Sequence, residues 1–101
     1  MTPETFRALV LSFPRAKERA VLGTREYRVR DRAFATCGWP QDGWITVKLP
    51  TGEQEAFLAR HPASQAIPGR PGVLRLCLER LDEEGLRPLI AAAWRLASAL
   101  D

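Results

Sequence analysis

Apolar residues follow a helical repeat at the start of the chain. One recurs every three or four positions from Phe6 to Phe13, which predicts a first helix over about 3–13. Thr2 followed by Pro3 favours this start, because threonine can cap the first turn and proline suits the first helical position. The next segment, 17–22, has weak strand character, so its status stays open.

After residue 24 the repeat changes to two, which is the period of a half-buried strand. Tyr27 and Val29 share one face of the first predicted strand, with charged residues between them. We predict three such strands, over 25–30, 33–38 and 44–49. A tight connection at Asp31-Arg32 and a turn at 40–43 join them. Three consecutive strands joined in this way form an antiparallel meander.

The middle of the chain returns to a helical pattern and then becomes irregular. Thr51 and Gln54 have the spacing of a capping box, which predicts a second helix from there to about Arg60. The stretch 61–72 holds three prolines and two glycines. We therefore predict a loop there, with a short strand near 64–67.

The last third of the chain predicts one strand and one helix. Val73 to Leu81 alternates, with Leu76 on the apolar face, and Asp82 can cap the helix that follows. The apolar stripe of this helix comprises Leu86, Leu89, Ile90, Ala93, Ala97 and Leu100. Because proline disrupts a helix interior, Pro88 means that the regular helix starts near Arg87 or is kinked at the proline.

This order of elements predicts one α+β domain over residues 1–101. The expected architecture is a two-layer sandwich, an antiparallel sheet with helices on one face, in the order α-β(3)-α-β(2)-α. We call the sheet face away from the helices the open face. Strand parity places on it Arg28, Arg30, Trp44, Thr46, Lys48 and Arg75. The open face is therefore expected to be basic.

The charge is unevenly distributed along the 101 residues. The net charge is +3, and 46% of the residues are hydrophobic, as in an ordinary globular domain. Residues 1–50 carry nine Lys or Arg and five Asp or Glu, whereas residues 51–101 carry six and seven. The basic excess falls mainly within 15–32, which is one mark of a surface that binds polyanions. A compositional bias toward arginine is the alternative, since thirteen of the fifteen basic residues are Arg.

Residue chemistry gives no pattern typical of an enzyme or a metal site. His61 is the one histidine, and neither Cys37 nor Cys77 has metal-ligand spacing to it. We expect no metal, no cofactor and no catalytic residues, and two free thiols. The acidic residues after Leu81 are explained by helix capping. No segment has the length of a membrane span and no leader pattern is present, so we expect a cytoplasmic protein.

Several segments resemble the MmcQ/YjbR family. The similarity includes the run Tyr27-Arg28-Val29-Arg30-Asp31-Arg32-Ala33-Phe34-Ala35, the strand end Val47-Lys48-Leu49-Pro50 and the closing Ala93-Trp94-Arg95-Leu96, and it covers nearly the whole chain. The resemblance implies an α-β(3)-α-β(2)-α double-wing fold and a DNA-binding label. The chain departs from the family pattern at Leu22-Gly23-Thr24 and at Gly72-Val73.

Two hypotheses of function follow. In the first, the protein is a non-catalytic DNA-binding domain of low sequence specificity, which contacts phosphates through the open face and the turn loops. The residues predicted to bind nucleic acid are Arg25, Arg28, Arg30, Arg32, Lys48, Arg75 and Trp44. In the second, a protein-interaction or chaperone-like module uses the open face or the 62–71 loop. We expect a monomer or a weak dimer.

Overall fold

The computed structural model describes residues 1–61 and 64–99, so Leu100 of the predicted apolar stripe and the start of the 62–71 loop lie outside the described residues. The helices are α1 (Pro3–Leu11), α2 (Thr51–Arg60) and α3 (Glu83–Ala99). The strands are β1 (Lys17–Val21), β2 (Thr24–Val29), β3 (Arg32–Cys37), β4 (Trp44–Lys48), β5 (Gln65–Ala66) and β6 (Val73–Cys77). None of the described helices has the length and apolar character to span a membrane.

The six strands form one antiparallel sheet in the order β1-β2-β3-β4-β6-β5. The predicted α+β class and two-layer architecture are confirmed. The segment whose status the sequence left open is β1, which pairs with β2 from Lys17 opposite Arg28 to Val21 opposite Thr24. The meander before α2 therefore has four strands.

The hydrophobic core lies between the sheet and the three helices. α3 packs across β2, β3 and β4, and it buries the predicted stripe from Leu86 to Ala97. On the sheet side, Ile45, Val47 and Leu76 are at most 2% exposed. Phe6 of α1 meets Tyr27 edge to face, with ring centroids 5.8 Å apart. The predicted parity of these strands is therefore confirmed at the core.

The helix caps differ in how well the sequence predicted them. Thr2 caps α1, since its Oγ1 accepts a hydrogen bond from the Thr5 amide at 3.1 Å. Asp82 caps α3 through a 2.7 Å bond from the Gly85 amide. The predicted capping box of α2 is wrong: its N-cap is Pro50, and Gln54 instead accepts a hydrogen bond from the Gly72 amide at 3.0 Å.

The β2–β3 connection lies one residue earlier than predicted. Arg30 and Asp31 form it, with φ of 50° and 64°, because a two-residue turn that matches the twist of a hairpin needs positive φ at both positions. Arg28 closes the turn by donating to the Asp31 carbonyl. Arg30 is consequently in a turn, not on the open face of a strand.

Two element boundaries near the end of the chain also differ from the prediction. The strand predicted to reach Leu81 ends at Cys77, and a 3-10 turn covers Leu78–Arg80. The regular α3 begins at Glu83, well before Arg87, and it contains Pro88. The acidic first turn and the Asp82 cap favour this earlier start.

Candidate nucleic-acid interface on the open sheet face

The sheet register defines the open face of the domain. Residues directly opposite each other in antiparallel strands point to the same side of the sheet. One row across all six strands contains, in order, Arg19, Glu26, Thr36, Thr46, Arg75 and Gln65. The adjacent row contains Glu18, Tyr27, Ala35, Val47, Leu74 and Ala66 and faces the helices. The polar row is therefore the middle of the open face.

The open face is strongly basic. By register and parity its charged residues are Lys17, Arg19, Arg28, Lys48, Arg75 and Glu26. Five cations and one carboxylate give it a net charge of +4, which exceeds the +3 of the whole protein. The remaining surface is thus close to neutral, and the positive potential is concentrated on one side.

The open-face cations differ in their partners. Arg28 pairs with Glu26 on the same strand, and its side chain is 27% exposed. Arg75 donates to the Gln65 side chain at 2.7 Å. Among the described residues, Lys17, Arg19 and Lys48 make no ion pair, and all three are exposed. These three side chains are the most accessible positive charges on this face.

Three predicted contact residues lie elsewhere. Arg30 is in the β2–β3 turn. Arg32 lies opposite Val29, and this register places it on the helix side of the sheet. Arg25 lies opposite Cys37, also on the helix side. The open face therefore brings together Arg28, Lys48, Arg75 and Trp44, and it does not include the other three.

Arg25 belongs to a cluster around Glu18. Arg7 of α1 donates to this carboxylate at 2.9 Å, Arg25 also at 2.9 Å, and the Tyr27 hydroxyl at 3.2 Å. Burial disfavours the charged carboxylate, but the hydrogen bonds and charges of Arg7 and Arg25 outweigh it and lower the pKa of Glu18. This cluster ties α1 to the first hairpin, so Arg25 has a structural partner.

The neutral members of this region stay protonated. Burial, reinforced by the nearby Glu18 charge, raises the pKa of Tyr27 well above its usual range. Burial likewise raises the pKa of the Cys37 thiol. Both residues line a cleft of about 570 Å³ with Arg7, Arg25 and Asp42. Since a protonated thiol is a poor nucleophile, the cleft does not offer an activated cysteine.

Two arginine–tryptophan pairs lie beside the basic row. The Arg75 guanidinium is 5.9 Å from the centroid of the Trp44 ring, and Arg70 is 6.0 Å from that of Trp39. These distances fit cation–π contacts. Trp39 is 38% exposed. Trp94, by contrast, packs against the core and donates to the Pro14 carbonyl at 2.9 Å.

The remaining candidate ligands are dispersed. Cys37 and Cys77 are free thiols. His61 ends α2 and stacks on Phe57, with ring centroids 4.2 Å apart. Within residues 1–61 and 64–99, no three His, Cys, Asp or Glu side chains are grouped so that they could hold a metal ion.

Sequence reasoning missed three cations near the open face. Lys17 and Arg19 were not assigned to it because β1 had no clear strand pattern. Arg70 is a loop residue, and its contact with Trp39 joins positions 31 apart in the sequence. The alternation of Lys17 and Arg19 around Glu18 is the one local signal that could have placed the first two.

Comparison with known proteins agrees with this fold. A protein from Pseudomonas syringae, known from a crystal structure as a structural genomics target, aligns with a TM-score of 0.72. The two chains share 16% sequence identity, and the alignment covers 96% of this chain and 99% of the other. No curated protein matches the chain. The YjbR family model matches residues 11–96, and the chain therefore belongs to the YjbR family.

Proposed function

We propose that the protein is a non-catalytic DNA-binding domain of low sequence specificity that contacts phosphates through the open face. The observation that carries this proposal is the concentration of charge there, five cations against Glu26. From Arg19 to Arg75 the row crosses four strand spacings, about 19 Å. That length corresponds to roughly five or six phosphates along one strand of DNA.

The lack of a described helix on the open face supports low specificity. Direct reading of duplex sequence uses a helix or a two-stranded ribbon inserted in the major groove. The helices described here pack on the other side of the sheet. The open face can thus neutralise phosphates, but it offers no helix for base readout in a duplex.

The salt dependence of binding tests this proposal. If all five cations replace counterions, the logarithm of the binding constant should fall with a slope of about −4.5 against the logarithm of salt. A fourfold rise in salt would then weaken binding roughly 500-fold. Fluorescence anisotropy of a labelled duplex at several salt concentrations measures this slope. Absence of binding at low salt would refute the proposal.

Charge reversal locates the contact. Arg19→Glu with Lys48→Glu should abolish binding at moderate salt, because it changes the charge of the open face from +4 to 0. The matched control is Arg60→Glu with Arg95→Glu, which changes the total charge equally on the exposed surface of α2 and α3. Equal losses in both double variants would mean that only the total charge matters.

Trp39 supports a protein partner as the second candidate. It is one of two large apolar side chains that are exposed among the described residues, and exposed aromatic residues are common anchors of protein interfaces. Binding of this kind should depend weakly on salt, whereas phosphate binding should depend on it steeply.

A further inference from the structure

Trp39 is unusual among the apolar residues of this protein. In the described part of the chain, Trp39 and Leu22 are the exposed large hydrophobic side chains. Leu22 is at the tip of the β1–β2 turn, where exposure of one apolar side chain needs no explanation. Trp39 instead holds one ring face toward a planar cation, the Arg70 guanidinium. The ring face that Arg70 covers is a flat surface on which another planar group can stack in its place.

The Arg70–Trp39 contact lies over the open face. Trp39 follows β3, close to the first residue of β4, whereas Arg70 precedes β6 at the opposite end of the same strands. Because the helices cover the other side of the sheet, a contact between these ends has to cross the open face. The burial of Thr46 and Val73 agrees, since both point to the open face and are only 7% and 8% exposed.

Polar side chains lie beneath and beside this contact. The hydroxyls of Thr36 and Thr46 bond to each other across β3 and β4. Next to them, Arg75 is held by Gln65 and lies over Trp44. The exposed cations Lys17, Arg19 and Lys48 lie farther out along the same face. Charge, ring surface and polar groups are therefore arranged side by side.

From this arrangement we infer that the open face binds single-stranded nucleic acid in preference to duplex, with a base stacked on Trp39. The inference rests on the proposed function, and it adds the form of the ligand. In a duplex the base faces are already stacked on each other, so only the backbone and the base edges in the grooves are available. A single strand offers both phosphates and free base faces, the combination that single-strand-binding surfaces recognise with cations and aromatic rings.

The incoming base takes the place of Arg70 on the ring. Arg70 is an exposed residue in the loop between β5 and β6, where it lies between Gly69, which has positive φ, and Pro71. After displacement its guanidinium can pair with a phosphate of the same strand. The stack and the new ion pair then form together.

Three labelled probes with the same number of phosphates test this inference. They are an oligothymidylate of roughly 12 nucleotides, within the range that one single-strand-binding domain covers, an abasic oligomer of equal length, and a hairpin duplex. Anisotropy at fixed salt should give the tightest binding to oligothymidylate. Trp39→Ala should weaken that binding about 5- to 150-fold, as expected for the loss of one stacked base. Binding to the abasic oligomer should not change.

Two further variants complete the design. Leu22→Ala removes the other exposed apolar side chain and should leave all three affinities unchanged. Trp39→Phe keeps a smaller aromatic ring and should give intermediate affinity for oligothymidylate. This variant still tests base stacking if Trp39→Ala is unstable. Thermal melting of each variant checks the fold.

The outcomes separate this inference from the proposed function. Equal or tighter binding of the duplex, or an equal effect of Trp39→Ala on the abasic oligomer, overturns the single-strand preference while DNA binding stands. Absence of binding to every probe at low salt overturns both.

Discussion

Gly72 lies where two parts of the chain approach too closely for a side chain. Its carbonyl accepts a 2.7 Å hydrogen bond from the Leu49 amide, and its own amide donates to Gln54 at 3.0 Å. A Cβ atom at this position would be 2.5 Å from the Leu49 carbonyl oxygen. Because that oxygen is a backbone atom at the end of β4, it cannot move aside as a flexible side chain would. We therefore expect Gly72→Ala to be strongly destabilising.

The magnitude follows from two costs. Gly72 has φ of +83°, and this left-handed conformation costs a non-glycine residue about 1–2 kcal/mol. The reduced flexibility of the unfolded chain offsets about 0.4–1 kcal/mol of this cost. Overpacking against a rigid neighbour adds about 1–3 kcal/mol. The loss in unfolding free energy should therefore be roughly 1–5 kcal/mol, with a central value of about 3 kcal/mol.

Gly69 is a matched control for the conformational cost. Its φ is +77°, but nothing lies within 4 Å of a Cβ added there. Gly69→Ala should therefore cost only about 1 kcal/mol. Urea unfolding of both variants, and thermal melting with about 4–8 °C per kcal/mol for a domain of this size, measures the difference. Equal midpoints for the two variants would show that the approach of Gly72 to Leu49 relaxes without cost.

Three other changes test separate parts of the fold. Leu76→Ala should lower the unfolding free energy by about 2–5 kcal/mol in urea titrations, because Leu76 is 2% exposed in the core; a near wild-type midpoint would contradict this. Asp82→Ala should lower the unfolding free energy in the same titrations by about 0.5–2 kcal/mol, because it removes the α3 cap. Asp82→Asn should retain most of the stabilisation from the cap. The pKa of Glu18 is lowered in the fold. The ionised Glu18 carboxylate therefore contributes its full stabilisation at neutral pH, and this stabilisation is lost as the pH falls below about 4.5. The stability difference between wild type and Glu18→Gln should accordingly shrink between pH about 7 and pH about 3, and a constant difference would contradict the role of the charge.

Where the local pattern and the tertiary packing agree, the sequence alone was sufficient to predict the structure. The apolar stripe of α3 and the alternation around Leu76 predicted buried residues that are buried. Thr2 and Asp82 predicted the caps of α1 and α3, because an N-cap uses groups within three residues of each other. These features depend on neighbours along the chain, which is why the chain alone reveals them.

Features that depend on distant partners could not be predicted. Gln54 had the spacing of a capping box, but the Gly72 amide, eighteen residues away, takes its side chain oxygen. β1 has little apolar alternation, since its Glu18 faces the helix side and is satisfied there by Arg7 and Arg25. A charged residue on the helix side interrupts the alternation of apolar and polar residues from which a strand is predicted. Its partners come from α1 and β2, which a pattern in β1 cannot show.

The composition of the candidate site depends on one irregularity in the β2–β3 pair. Tyr27 lies opposite Ala35 and Arg28 opposite Ala33, so Phe34 is an extra residue in β3, and it is buried with Ala35. A β-bulge of this kind reverses the side-chain parity beyond it. Without the bulge, alternation from Ala35 would turn Arg32 to the open face and Phe34 to solvent. With it, Phe34 joins the core and Arg32 is turned toward α3. The burial of one phenylalanine thus decides which arginines the open face can present to a ligand.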